Sequence, residues 1–345
     1  MDSIKLTSFS HGAGCGCKIS PSILEQILSI SKHNEVGSDP NLLVGNSTND
    51  DAAVYDLGNG EAIITTTDFF MPIVDDPFDF GKIASVNALS DVYAMGGKPL
   101  VAIAILGWPV DKISPDIAGV VLEGARSACK EAGIQLAGGH SIDTAEPIFG
   151  LAVTGRVSIQ HLKKNSSAKE SSSLYLTKPL GVGIIATAQK RGIVAKDDMQ
   201  NAVDNMTKLN SLGTRFGKLE YINAITDVTG FGLLGHLVEM CEGSGVSAEI
   251  NKNKIPILPN IQLYLDQNAI PGGTKRNWNS YSHKVAGIEK NDWTILADPQ
   301  TSGGLLVSVD SEKESEFEYV CLQEGVNIKP IGIVTKLQEQ VVYVK

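Results

Sequence analysis

The chain has 345 residues, 42% hydrophobic and 20% charged, an ordinary globular composition with length enough for two domains. Asp and Glu number 39 against 29 Lys and Arg, so the formal net charge is −10, which disfavours nucleic acid as a partner. Five cysteines, three of them scattered, do not compose a disulfide framework. Met1 to Thr7 has no apolar stretch of signal-peptide length and no run of about 18 apolar residues occurs, so the expectation is a protein of the reducing cytoplasm without a membrane span.

The first 20 residues are rich in Gly and Ser and show no hydrophobic period. Ser20 and Pro21 read as the cap and first position of a helix over 21–31, with Ile23, Leu24, Ile27 and Leu28 on its apolar face. Residues 34–50 read as loop. A buried strand is expected over 61–67, running into Asp68, then a helix over 78–95 closed by Gly96 and Gly97. A strand over 100–107, a helix over 114–132 and strands near 134–137 and 148–156 follow. The polar, Ser-rich stretch 163–173 is the best internal boundary. Beyond it the pattern predicts a strand over 174–177, helices near 183–190 and 201–216, a strand over 222–226, a helix near 232–242, and strands at 304–309 and 331–334. This mixture lacks the regular alternation of a doubly wound sheet, so the expected class is α+β in two domains.

Three features carry chemistry. Asp50, Asp51, Asp68, Asp91 and Asp227 sit at element ends or beside small residues. Asp91 lies one helical turn after Asn87, in a stripe with Ala84, Ala88 and Met95. A carboxylate in such a stripe needs a partner, and carboxylates from several elements suit Mg²⁺ on a polyphosphate. Taken singly, each is equally a cap or a surface acid.

The second feature is glycine, paired or alternating at 12–16, 138–139, 230–235, 272–273 and 303–304. These are phosphate-cradling loops or ordinary turns. Gly230 to Gly235 fits G-x-G-x-x-G, yet Asp227 at the strand end would repel a pyrophosphate, and no acid-ended strand follows about 20 residues on. Lys18 lacks the preceding Gly and following Ser or Thr of a P-loop.

The third feature, Cys15-Gly16-Cys17-Lys18, leaves three readings open. It is a mobile, accessible loop that carries a nucleophile or handles a chalcogen, with Lys18 favouring the thiolate. It is half of a soft-metal site, which the dispersed His11, His140 and His236 do not complete. Or it is a terminal arm with incidental cysteines.

The stretch Ser10 to Lys18 resembles the N-terminal signature of selenophosphate synthetases. The resemblance continues through 49–54, 65–70, 87–91, 94–97, 138–141, 226–232 and 298–304. Several of these motifs are shared with the wider aminoimidazole ribonucleotide synthetase-like superfamily; the Cys-Gly-Cys-Lys segment narrows the match. The resemblance implies a two-domain fold whose N-terminal domains pair into a barrel across a homodimer, with a C-terminal α/β sandwich outside. The corresponding division is a flexible catalytic segment 1–20, an ATP- and Mg²⁺-binding dimerisation domain 21–160, a linker 161–173 and a C-terminal domain 174–345. The implied reaction is ATP, selenide and water to selenophosphate, orthophosphate and AMP, supplying activated selenium for selenocysteine and seleno-tRNA synthesis. A selenium-delivery protein is a possible partner. By the same resemblance Cys15, replaced by selenocysteine in some relatives, and Lys18 are catalytic, with Lys18 on the phosphates. Asp51, Asp91 and Asp227 are metal ligands; Asp68 and Asp91 line the metal–phosphate site; Thr48, Asn49 and Asp50 lie against the nucleotide. Gly139, His140 and Ser141 reach ATP from the dimer partner. The alternatives are another ATP-dependent synthetase or kinase of the superfamily and a thiol protein that binds metal or serves redox chemistry.

Overall fold

The computed structural model describes residues 4–19, 23, 24, 26, 27, 30, 39–45 and 50–345. The helix expected over 21–31 falls largely, and Thr48 and Asn49 fall entirely, outside them. The first half is a six-stranded sheet: β1 (Leu42–Val44), β2 (Ala53–Asp56), β3 (Glu61–Phe70), β4 (Lys98–Trp108), β5 (Gln135–Asp143) and β6 (Ile148–Ser158). Their spatial order is β1-β2-β3-β6-β4-β5, with β4 and β5 parallel and the other pairs antiparallel. Helices α1 (Pro77–Ala94) and α2 (Pro115–Glu131) belong to this half. Both begin as their sequences dictate, on Asp76 and Ser114 caps followed by proline.

The sheet has two unlike faces because its strands alternate. In β3, Ala62, Ile64 and Phe70 turn to the core while Thr65, Thr67 and Phe69 are exposed. Tyr55, Phe69, Ile103 and Ile142 leave an apolar surface on the outer face, each between 42% and 58% exposed. Strand β3 also runs two residues past Asp68, since Phe69 and Phe70 keep pairing with Gly150 and Phe149. Asp68 is therefore an in-strand residue rather than a strand-end one.

The second half is a seven-stranded sheet of order β10-β13-β9-β12-β7-β11-β8. Its best-buried strands are β7 (Ser172–Leu176), β8 (Ile222–Asp227) and β11 (Leu305–Asp310). They are covered on both faces, as their near-continuous apolar runs require. Leu174, Ala224 and Leu306 face one core, with α6 (Gly232–Ser244); Tyr175, Ile225 and Val307 face another, with Phe216 and Phe317. Helices α3 (Val182–Lys190), α4 (Lys196–Thr207) and α5 (Leu212–Gly217) precede α6. The single helix expected over 201–216 is thus two. Asn210 lies at the break and donates to Ser90 Oγ and to the Gly303 carbonyl, both at 2.8 Å. The strands β9 (Ser247–Ile250), β10 (Val285–Ala286) and β13 (Val342–Val344), and helices α7 (Ile261–Asp266), α8 (Gly272–Tyr281), α9 (Trp293–Leu296) and α10 (Glu314–Gln323), had no expectation; β12 (Gly332–Thr335) did.

The polar stretch 163–173 is not solvated throughout. Lys163, Asn165, Ser172 and Ser173 are buried, and Lys163 Nζ donates to the Leu219 and Ile222 carbonyls at 3.0 and 2.8 Å.

Helix α1 carries much of the site, and its position depends on two glycines. A side-chain carbon on Gly81 would meet the Val121 carbonyl of α2, and one on Gly124 would meet the Phe78 carbonyl of α1. The backbones therefore touch at reciprocal points. Gly124→Ala is expected to force the helices apart at a cost of about 1–3 kcal/mol. A urea midpoint that falls together with ATP affinity supports this coupling; an unchanged midpoint removes it.

Candidate active site

The glycine-rich segment is docked. Gly14 to Cys17 form one 3-10 turn, closed by Lys18 N–H donating to the Cys15 carbonyl at 3.2 Å. Gly14 has φ +50°, and a side chain there would strike Ile73 and Thr301. Its N–H donates to the Met71 carbonyl at 3.1 Å, and Cys15 N–H donates to Thr301 Oγ1 at 2.9 Å. Two cations of the second half hold the outside of the segment. Lys190 Nζ donates to the Ser10 and Gly12 carbonyls at 2.9 and 2.8 Å, and Arg276 Nη2 to the Gly16 carbonyl at 2.7 Å.

Cys15 is 2% exposed, with its Sγ 3.4 Å from Asn87 Oδ1. This corrects the expectation of an accessible thiol and a favoured thiolate. Burial pushes the Cys15 thiol far above its ordinary range, and Lys18 offsets only part of that. Cys17 does not share these surroundings: its sulfur lies beneath Gly12, and it too is raised by burial.

Inside this segment four parts of the chain bring carboxylates together. Asp68 Oδ2 accepts from Asn87 Nδ2 at 2.5 Å, and its other oxygen is 3.9 Å from Lys18 Nζ. Asp91 Oδ2 accepts from Thr66 Oγ1 at 2.5 Å. Asp51 Oδ1 accepts from Thr226 Oγ1 at 2.8 Å, and Asp227 accepts from Ser90. Asp51 and Asp91 are held well above the usual carboxylate range, by burial first and then by neighbouring carboxylates; Asp227 is pushed up to about 6 for the same reasons. Lys18 is raised in turn, chiefly by Asp68. Lys18 beside Asp68 does not balance this many acids.

The set fits a hard divalent cation that substrate completes. Asp51 Oδ2 and Asp227 Oδ2 are buried without a hydrogen-bond partner. Among the described residues no group of three or more His, Cys, Asp or Glu side chains could hold a metal by itself. Mg²⁺ takes a few carboxylates together with water and phosphate oxygens.

Two expected contributors lie apart. Asp50 turns to the backbone, accepting from Asp51 N–H at 3.1 Å and from Asn165 N–H at 3.3 Å. It too is raised by burial, to about 6. Gly139, His140 and Ser141 lie on β5, at the edge of the sheet. His140 pairs with Ile105, Ile105 with Gly150 and Gly150 with Phe69. His140 therefore belongs to the outer face, opposite the one to which Asp68 belongs.

Other contributors carried no assigned role in the sequence reading. Ser302 N–H donates to Asn87 Oδ1 at 2.7 Å. Lys178, 3% exposed, donates to the Lys208 and Ser302 carbonyls at 2.6 and 2.9 Å, and burial lowers it to about 7. His236 Nε2 accepts from Thr229 N–H at 3.1 Å, and burial lowers it to about 3. Asp298 accepts from Gly183 N–H at 3.0 Å and from the Gln300 side chain at 2.8 Å, fixing the loop that carries Thr301 and Ser302. The 298–304 motif was the only signal for Thr301 and Ser302.

This arrangement has known counterparts. The family model of AIR synthase related protein matches its N-terminal domain at residues 49–157 and its C-terminal domain at 169–345. A hydrogenase maturation protein solved in complex with ATP shares the fold, with a TM-score of 0.65 at 17% identity over 89% of this chain and 87% of that one. The fold and site thus define a two-domain protein of the AIR synthase-like class. At a finer level, the selenide, water dikinase of Photorhabdus laumondii is 56% identical over 335 residues, 97% of this chain and 96% of its own. That of Aeromonas hydrophila is 57% identical over 333 residues, 96% of each chain. The chain belongs to the selenide, water dikinase family.

The two thiols should differ in reactivity. On brief treatment of the ligand-free protein with iodoacetamide, Cys17 is expected to be alkylated well before Cys15, because only Cys15 is both buried and strapped at its own backbone. Peptide mass spectrometry reads the order; Cys15 labelled first overturns the docked arrangement.

Proposed function

We infer that this chain forms selenophosphate from ATP, selenide and water, releasing orthophosphate and AMP. The observation that carries the reading is the strapping of the Cys15–Lys18 turn directly over a carboxylate site through Asn87, Asp68 and Thr301. A phosphate-handling site and a chalcogen-handling loop thereby share one wall.

Asp51, Asp91 and Asp227 would hold Mg²⁺, which when bound neutralises the ATP phosphates. Lys18 is poised to exchange Asp68 for a phosphate oxygen, since its pair at 3.9 Å is loose and its side chain keeps 39% exposure. Asn87 holds Asp68 and the 302 backbone in place during that exchange. Transfer of the γ-phosphoryl to selenide needs in-line positioning and exclusion of water more than acid–base chemistry. The docked segment supplies that exclusion, and its two cationic straps suit a lid that opens for exchange. Hydrolysis of the remaining ADP follows in the same site. Burial holds the Cys15 thiol above its ordinary range while the lid is down, with Lys18 offsetting part of that; opening would restore water around it and leave the effect of Lys18 less opposed.

The outer face suits a second copy of the chain. It presents Tyr55, Phe69, Ile103 and Ile142, from four strands of one sheet, to solvent. His140 lies on that same face, so a homodimer through it would offer Gly139, His140 and Ser141 to the partner's nucleotide rather than to their own. The proposed division remains a catalytic lid to about residue 20, an N-terminal domain to 160 and a C-terminal domain from 174, in the cytoplasm, with a delivery protein as one source of selenide.

Lys18→Ala is expected to lower selenide-dependent AMP formation at least 100-fold with an unchanged melting curve; full activity ends its phosphate role. Asp227→Asn is expected to abolish Mg²⁺-dependent ATP binding by calorimetry while raising the melting temperature of the metal-free protein, because one buried charge leaves a repelling cluster. A lower melting temperature with retained binding contradicts the assignment. Ile103→Glu is expected to give monomers by sedimentation, and activity should fall with the dimer. Active monomers would show that each chain completes its own site.

A further inference from the structure

A second concave site lies at the seam of the two halves, away from the carboxylates. It is a pocket of about 230 Å³ at the far end of the first sheet. The basic side chains on its lining are Lys98, Arg156, His161 and Lys218, and its acidic one is Glu61. Strand β3 carries Glu61 at its start and Thr66, which holds Asp91, five residues on. That separation is roughly 16 Å at about 3.3 Å per residue.

Three observations make this more than surface charge. The chain is acidic overall, with a formal net charge of −10, so four basic side chains against one acid run against its composition. Several cations elsewhere meet a carboxylate, among them Lys82, Arg215, Lys252, Lys284, Lys313 and Lys329. Lys98, Arg156, His161 and Lys218 have no ion pair or side-chain hydrogen bond among the described residues, and like charges gathered without partners repel unless an anion joins them. The floor is also built rather than loose. Gly96, with φ +74°, packs against the His161 carbonyl and Gly217, and Thr214 Oγ1 donates to the Gly97 carbonyl at 2.5 Å.

We propose that this pocket binds a small multivalent oxyanion, of the phosphate or diphosphate class, which ties the first sheet to helix α5. The volume corresponds to roughly eight waters, small for a whole nucleotide but sufficient for a diphosphate group with some hydration. Arg156 offers a planar fork and the lysines offer point charges, the combination that suits phosphoryl oxygens. The concave shape and acidic surroundings select a small anion over a nucleic-acid backbone. Because Lys98 and Arg156 come from the first half and Lys218 from the second, the occupant would act on the seam over which the active-site residues are shared.

The probe is inorganic diphosphate, titrated into the full-length protein by calorimetry with a chelator present and ionic strength held constant. Lys18→Ala serves as the active-site control. The expected result is saturable binding with a melting-temperature rise of at least about 2 °C. It should be retained in Lys18→Ala and weakened at least tenfold in Lys98→Gln/Lys218→Gln. Arg156→Gln alone is the substitute should the double variant melt early. Absence of binding in the unaltered protein, or binding that survives the pocket variants, overturns the proposal. Orthophosphate and AMP, run in parallel, distinguish a free phosphate from a phosphate-bearing metabolite as the source.

Discussion

Asn87 reaches from the buried face of α1 to three separate parts of the chain. Its Oδ1 accepts from Ser302 N–H and lies against Cys15 Sγ, while its Nδ2 donates to Asp68. One amide thereby fixes the wall of the first sheet, the loop from the second and the underside of the lid. Its group is fully buried, so each unmade bond would cost about 1–3 kcal/mol. The direction of α1 matters for the same reason. Gly81 and Gly124 let the two helices meet backbone to backbone, and the crossing they allow sets where Asn87, Ser90 and Asp91 point.

The carboxylates around that amide are a cost to the metal-free fold. Asp51, Asp91 and Asp227 are desolvated together, and the oxygens left without partners mark where compensation is missing. An apolar replacement would favour stability and forfeit the site. The tension is expected where a protein gathers charge for a substrate that brings its own cations. Lys18 is a cation at the edge of this cluster, and its loose pairing with Asp68 keeps it available.

Local signals were legible in the sequence and longer-range ones were not. Capping residues and periodicity gave α1 and α2 to within a residue or so, and the runs that form β3 to β6 were visible, whereas β1 fell in a stretch read as loop and β2 had no expectation. The likeness of Ser10 to Lys18 to the selenophosphate synthetase signature was enough to identify the family. The end of β3 was missed because Phe69 and Phe70 owe their strand geometry to β6, a partner about 80 residues away. The break at Asn210 was missed because its cause is two hydrogen bonds to distant elements. Lys178 and His236 gave no local sign, since a buried lysine or histidine looks like any other until the carbonyl or N–H that holds it is placed. The outward aspect of His140 depends on register across three strands, which no single segment encodes.

The lid is gripped by its main chain. Gly14 N–H, Cys15 N–H and the carbonyls of Ser10, Gly12 and Gly16 make the contacts with Met71, Thr301, Lys190 and Arg276. None of those bonds passes through the atom that distinguishes one residue type from another at position 15. The side chain there is a replaceable tip on a fixed mount, with its Sγ against Asn87 Oδ1. Sulfur can give way to selenium at that tip without loosening the mount, so the chemistry of the tip and the fit of the lid are free to vary independently.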